Sequence, residues 1–322
     1  MMMTIFLPLC ILAASIKEDT LETESEKIRE KSQRLAKLYQ LEGEERLDIT
    51  QRVLDSPEVL ETHKEYIRSS GRRIWIFQYP SDGLLVTGYI SFIPESKDPP
   101  LIMQFRGGNK QFGIPNPANN LTTYKNYTVV GSSLRGCFDE GVDEFGGKDV
   151  NDIKNLIEFF PILEQHLHIS LVNQELQMIA YSRGGMEMFL ALARFPGIQT
   201  KVGKLVSLSG LLDIERSIEN RVDMKEMFEK EFGLTEDNWS EWIRERNPLW
   251  HVDKIRKDLP IMIIQGTADV RVSLEEGYEM MRVLGESGHQ ANYVEIDGGD
   301  HCLRNQPYIL DLVDDWLHKC PL

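Results

Sequence analysis

Short apolar runs alternate with helical patterns along most of this chain, and that alternation leaves few folds open to it. The runs at 101–105 (LIMQF), 127–131 (YTVVG), 176–181 (LQMIAY), 202–208 (VGKLVSL) and 260–265 (PIMIIQ) are apolar almost throughout, without a polar face. Strands of that kind are buried on both sides, which is the habit of a parallel sheet. Helical patterns fall between or after them, at 149–163, at 184–195, where Pro196-Gly197 stops the helix, at 273–284 and at 309–317. A last strand is expected at 292–296. Upstream, 73–79 and 84–92 flank the turn residues Pro80-Ser81-Asp82-Gly83 and read as a hairpin. The predicted fold class is α/β, a mostly parallel sheet with helices on both faces.

The rest of the chain is organised around that unit. Residues 16–70 are charged, with Ile28, Leu35, Leu38, Tyr39 and Leu41 recurring at roughly helical spacing, so an N-terminal helical extension is expected there. Residues 71–322 are expected to form the main domain, with a cap-like insertion at about 211–259 that carries Met224, Met227, Phe228, Phe232, Trp239, Trp242 and Trp250. Aromatics and methionines at that spacing fit the inner face of helices, or a cap that shapes an acyl pocket. Residues 1–15 (MMMTIFLPLCILAAS) are too short for a membrane span and are similar to the apolar core of a secretory signal, although no basic residue precedes them and Pro8 interrupts them. The expectation is a secreted or periplasmic protein, with a cytoplasmic one as the alternative.

Composition narrows the function classes. A net charge of −15 argues against non-specific nucleic-acid binding, which needs a basic surface. The four cysteines, Cys10, Cys137, Cys302 and Cys320, contain no Cys-x-x-Cys pair, so no zinc or redox motif is supported, and neither metal nor cofactor is expected. Composition leaves the oligomeric state open.

In a sheet of this kind, reactive groups collect on the loops at the carboxyl ends of the strands. In Ala180-Tyr181-Ser182-Arg183-Gly184-Gly185 a serine stands between a strand and a helix with small residues two positions to either side. Only small side chains let strand and helix approach closely enough to expose a nucleophile at such a turn. A serine hydroxyl needs a base, and the base needs a group that orients it and stabilises its charged form. Of the seven histidines only His301 lies just past a core strand, in Ile296-Asp297-Gly298-Gly299-Asp300-His301. Asp269 is the first acid after the 260–265 strand, while Asp297 and Asp300, in the histidine's own loop, are weaker alternatives. An oxyanion needs donors. The backbone N–H of Arg183 is one, and Gly108 or Asn109, in the Gly-Gly turn after the 101–105 strand, supplies the second.

These stretches, together with Phe105-Arg106-Gly107-Gly108-Asn109, Arg135-Gly136, Asn247-Pro248-Leu249 and Gly266-Thr267-Ala268-Asp269-Val270-Arg271-Val272, resemble the peptidase domain of the prolyl oligopeptidase family, with its α/β-hydrolase fold. The resemblance runs from about residue 72 to residue 317. It implies Ser182 as nucleophile, His301 as general base and then acid, and Asp269 as the orienting carboxylate. It also implies a serine peptidase acting on a small peptide through an acyl-enzyme. Two departures bear on this. Ala180 stands where glycine is more usual. The roughly 70 residues ahead of the domain look helical, so the β-propeller by which large members screen substrates does not fit there. A carboxylesterase or other acyl hydrolase would use the same parts, and a non-catalytic binding module would keep only the fold.

Overall fold

The structure, a computed structural model, describes residues 26–138 and 140–318 apart from residue 28 and the side chain of residue 111. The signal-like segment 1–15 lies outside the described residues. The described chain is built on a nine-stranded sheet in the order β1-β2-β3-β5-β4-β6-β7-β8-β9. The strands are β1 (Arg46–Asp48), β2 (Arg73–Ser81), β3 (Leu84–Phe92), β4 (Leu101–Phe105), β5 (Thr128–Ser132), β6 (Leu176–Tyr181), β7 (Val202–Leu208), β8 (Ile261–Gly266) and β9 (Ala291–Ile296). Pairing is antiparallel from β1 through β2 and β3 to β5, and parallel from β5 onward.

The β2–β3 hairpin closes on two residues, since Ser81 pairs with Leu84. Asp82 and Gly83 both have positive φ, 53° and 82°, a backbone that matches the twist of the flanking strands and is cheapest for Asp-Gly. β4 to β8 are buried along nearly their whole length, which explains their unbroken apolar sequences.

Helices cover both faces. On one side, α3 (Asp149–Leu167), α4 (Arg183–Arg194) and α9 (Leu274–Glu286) bury Ile153, Leu156, Phe160, Met188, Phe189, Met280 and Leu284 in one core. The segment between β7 and β8 joins this core. It holds α6 (Ile214–Asn220), α7 (Val222–Phe232) and α8 (Trp239–Arg246), and a short helix α5 (Pro196–Gln199) precedes β7. In it, Phe228 packs edge-on against Phe145 at 4.7 Å and beside Trp242 at 4.8 Å. On the other side lie α1 (Thr50–Asp55), α2 (Glu61–Ser70) and α10 (Ile309–His318), with Val53, Ile67 and Val313 buried among them.

The N-terminal segment differs from the helical extension expected at 16–70. Residues 29–36 are helical, but the segment also contributes β1, which pairs with β2 through Leu47 and Ile76, and its Leu35, Leu38, Ile49 and Val53 enter the second core. A three-residue strand containing Arg46 and Asp48 has no apolar pattern to reveal it. Its partner supplies the stability.

Candidate active site

β6 ends at Tyr181 and α4 begins at Arg183, so the whole change of direction falls on Ser182. Its backbone, φ 53° and ψ −127°, lies in territory that costs a non-glycine residue about 1–3 kcal/mol and persists only when neighbours hold it. Here they do. The Ser182 N–H donates to the Leu208 carbonyl at 3.1 Å, and the Ser182 carbonyl accepts from the N–H groups of Gly185 and Leu211, each at 2.9 Å.

The small flanking residues answer to specific contacts. Ala180 is fully buried between Phe105 of β4 and Ser207 of β7. A Cβ at Gly184 would come within 2.6 Å of the Phe105 carbonyl oxygen, and one at Gly107 within 2.9 Å of the Ser182 Cβ. Gly184→Ala is therefore expected to destabilise the protein by about 1–3 kcal/mol, read as a lower urea midpoint at constant m. An unchanged midpoint would show that α4 can retreat from β4 freely.

The loops after β8 and β9 are stitched together. The Thr267 N–H donates to the Ile296 carbonyl at 2.9 Å, the Ala268 N–H to the Gly299 carbonyl at 3.0 Å, and the Gly298 N–H to the Thr267 hydroxyl at 2.8 Å. Gly266 allows this approach, for a Cβ there would lie 2.2 Å from the Gly299 oxygen. The result brings Asp269 and His301 side by side. His301 Nδ1 lies 2.9 Å from Asp269 Oδ2 and 3.0 Å from Oδ1, and its Nε2 lies 2.9 Å from Ser182 Oγ. With Nδ1 protonated and donating to the carboxylate, Nε2 is free to accept the serine proton.

The Asp269 side chain is fully buried and that of His301 is 15% exposed. Burial alone would raise the Asp269 carboxyl, but His301 and the N–H groups of Val272 and Arg271, at 3.0 and 2.8 Å, outweigh it and hold it below its ordinary value. Burial alone would lower the imidazole. The Asp269 hydrogen bond, joined by the neighbouring Cys302, reverses that and raises His301 to about 9. Asp297 and Asp300 take no part in this contact. Thr267 and Asn305, respectively, hydrogen-bond to them.

The Arg183 side chain is not a surface group. It is 2% exposed and packs at 4.3 Å over the Phe145 ring, among Asp143, Asp149 and Glu187. Gly108 and Asn109 lie in the turn after β4, and α7 leans on that turn. The Asn109 side-chain amide approaches Met227 Sδ at 3.2 Å, and Lys110 pairs with Glu231 at 2.9 Å. Sequence reasoning missed Asp143 and Cys302. The second had a visible signal, since it adjoins His301; the first did not. Among the described residues no group of three His, Cys, Asp or Glu side chains could hold a metal ion, and no helix is long and apolar enough to cross a membrane.

A serine, histidine and aspartate in line after three strands of such a sheet can be set beside known proteins. The profile of the prolyl oligopeptidase family matches residues 139–321, more than half of the chain. The chain belongs to the prolyl oligopeptidase family. By family it is a serine-type peptidase with the α/β-hydrolase fold. Among curated relatives, the uncharacterized peptidase YtmA of Bacillus subtilis (strain 168) is 27% identical over 64% of this chain and 77% of its own length. Dipeptidyl peptidase family member 6 of Caenorhabditis elegans is 25% identical over 72% of this chain, but only 32% of that protein is covered. Among solved structures, the acylaminoacyl peptidase of Pyrococcus horikoshii superposes with a TM-score of 0.63 at 22% identity, over 76% of this chain and 41% of its own. The chain thus spans about a third of the worm relative and two fifths of the archaeal structure, a likeness that speaks for the shared fold.

Proposed function

We propose that this prolyl oligopeptidase family member cleaves a small peptide, or a related acyl compound, through an acyl-enzyme on Ser182. The observation that carries the reading is the hydrogen-bonded line from Ser182 Oγ to His301 Nε2 and from Nδ1 to Asp269. In this reading His301 takes the serine proton during attack and returns it to the leaving amine, and Asp269 keeps the ring in the productive tautomer. The Arg183 N–H, at the first position of α4, has no helical acceptor of its own and serves as one oxyanion donor. Gly108 or Asn109 serves as the other. Met227 lies beside Asn109, so in this reading α7 borders the oxyanion side of the site. Export through the apolar segment 1–15 belongs to the same proposal and rests on that segment's sequence.

The test is covalent labelling. A fluorophosphonate should modify one residue, Ser182, in wild type and none in Ser182→Ala. Modification elsewhere would overturn Ser182 as the nucleophile, and no modification of the folded wild type would leave a hydrolase-like binding module. Matched amide and ester substrates then separate the peptidase from the carboxylesterase. Faster release from the ester alone, with no detectable amide cleavage, would favour the esterase.

A further inference from the structure

The turn at residues 107–110 is gripped from behind by buried charge. Arg106 Nη1 donates to the carbonyls of Gly107 at 3.4 Å and Gly108 at 3.1 Å. Arg183 Nη1 donates to the same Gly108 carbonyl at 3.2 Å. Asp143 joins the two arginines. Its Oδ2 lies 2.8 Å from Arg183 Nη1 and 3.5 Å from Arg106 Nη2, and it also accepts the Lys110 N–H at 2.8 Å. Arg106 is fixed in turn by its Nε donating to the Ser133 carbonyl at 2.6 Å. All three side chains are at most 3% exposed.

The consequence comes from peptide geometry. In a trans peptide the C=O and the next N–H point in opposite directions. With the carbonyls of Gly107 and Gly108 drawn toward the arginines, the N–H groups of Gly108 and Asn109 are turned to the opposite side. The turn also touches the nucleophile, since a Cβ on Gly107 would meet Ser182 Cβ. Gly108 has φ +69°, the left-handed conformation that lets two successive carbonyls face the same way.

We propose that Arg183 and Arg106, joined through Asp143, are positioning residues that aim the N–H groups of Gly108 and Asn109 at the oxygen of the carbonyl that Ser182 attacks. Arg183 would thus contribute twice, its backbone N–H as a donor and its side chain as the clamp on the second donor. A guanidinium suits this task because it carries five N–H donors in one rigid plane, enough to hold the turn carbonyl while pairing with several buried carboxylates, whereas a lysine ammonium has three donors on a flexible stem. The inference rests on the nucleophilic reading of Ser182, so fluorophosphonate labelling of wild type is run first. Failure there counts against that reading and not against the clamp.

The experiment compares wild type with Arg183→Lys and Arg106→Lys, each counted by stoichiometric fluorophosphonate labelling and checked by thermal melting. Loss of one oxyanion donor costs about 100- to 1,000-fold in kcat. Each variant is expected to lose about that much in kcat on the ester or amide that wild type turns over, with KM within threefold. Affinity for a peptide boronate, which forms a tetrahedral adduct on the serine, should fall in parallel. Three outcomes would overturn the proposal: kcat within threefold of wild type in labelled, folded variants; a loss confined to KM; or failure of both variants to fold, which would make the cluster a stability element.

Discussion

Replacing Asp269 with Asn is expected to lower kcat by about 10,000-fold while the fold survives, the scale seen when a triad carboxylate becomes an amide. The reason is local. Asp269 accepts from His301 Nδ1 and from the N–H groups of Arg271 and Val272. An Asn can still accept from the two backbone groups, but its amide nitrogen can face the ring as a donor and favour the tautomer with Nε2 protonated. That tautomer has no lone pair for the Ser182 proton. The pH profile should move as well. His301 works as a base only when neutral, and with its ionisation raised to about 9, wild-type kcat/KM should fall about tenfold for each pH unit below that value. Without the carboxylate the acid limb should drop toward 6.5, the ordinary imidazole value. The same shift bears on stability. A base raised on folding contributes stability that is fully present below its unfolded value near 6.5 and is lost as pH rises through about 9. The variant should lack that dependence. Activity within tenfold of wild type, with the limb unmoved, would take Asp269 out of the mechanism.

Asp152→Ala is expected to cost about 3–5 kcal/mol of folding stability, the scale of stripping a buried ion pair of one partner. Asp152 is fully buried in α3 and accepts from the Arg135 backbone N–H at 2.8 Å, Arg135 Nη2 at 2.6 Å and the Ser81 hydroxyl at 2.5 Å. One carboxylate thereby ties the end of β2, the loop after β5 and α3. Alanine would leave the Arg135 guanidinium, 4% exposed, with Asp82 as its remaining ion-pair partner, and Asp82 is 38% exposed. Against a total of about 5–15 kcal/mol for an ordinary domain, that is a large share. Urea unfolding should show the midpoint falling in proportion. A loss below about 1 kcal/mol would mean that water replaces the carboxylate without penalty.

The sheet was readable because burial on both faces writes itself into consecutive residues. β3, β4, β6 and β7 begin and end where their apolar runs do, at 84–92, 101–105, 176–181 and 202–208. β1 was not readable, since three residues with two charges carry no period, and only the neighbour β2 makes them a strand. Ser182, Asp269 and His301 could be picked out because each comes after a strand, a position the chain order reveals. Ser182 and Asp269 follow the buried β6 and β8, whereas His301 follows β9, which is the half-exposed edge strand and not the core strand expected. The structure places the three within hydrogen-bond distance. The charged cluster behind them was illegible for the opposite reason. Arg106, Asp143, Asp149, Arg183 and Glu187 are scattered along the sequence, and a lone charged residue reads as solvated surface. Only their assembly makes burial tolerable, and in it burial holds Glu187 up to about 8 even beside Arg183.

The short β1 has a bearing on how molecules of this protein meet one another. A nine-residue strand such as β2, left bare, would be a template on which another chain could add a strand. On the outward side of β2, Ile74 is engaged at both backbone groups, by the Thr50 hydroxyl and by the Ile49 N–H. Leu47 of β1 covers Ile76, and Gln78 donates to the Glu45 carbonyl. Pro80 has no N–H to give. The backbone donors at alternate positions along that edge are thus already committed or missing, so the residues ahead of the main domain, with Pro80, close the β2 side of the sheet to an added strand and leave β9 as the edge at the other end.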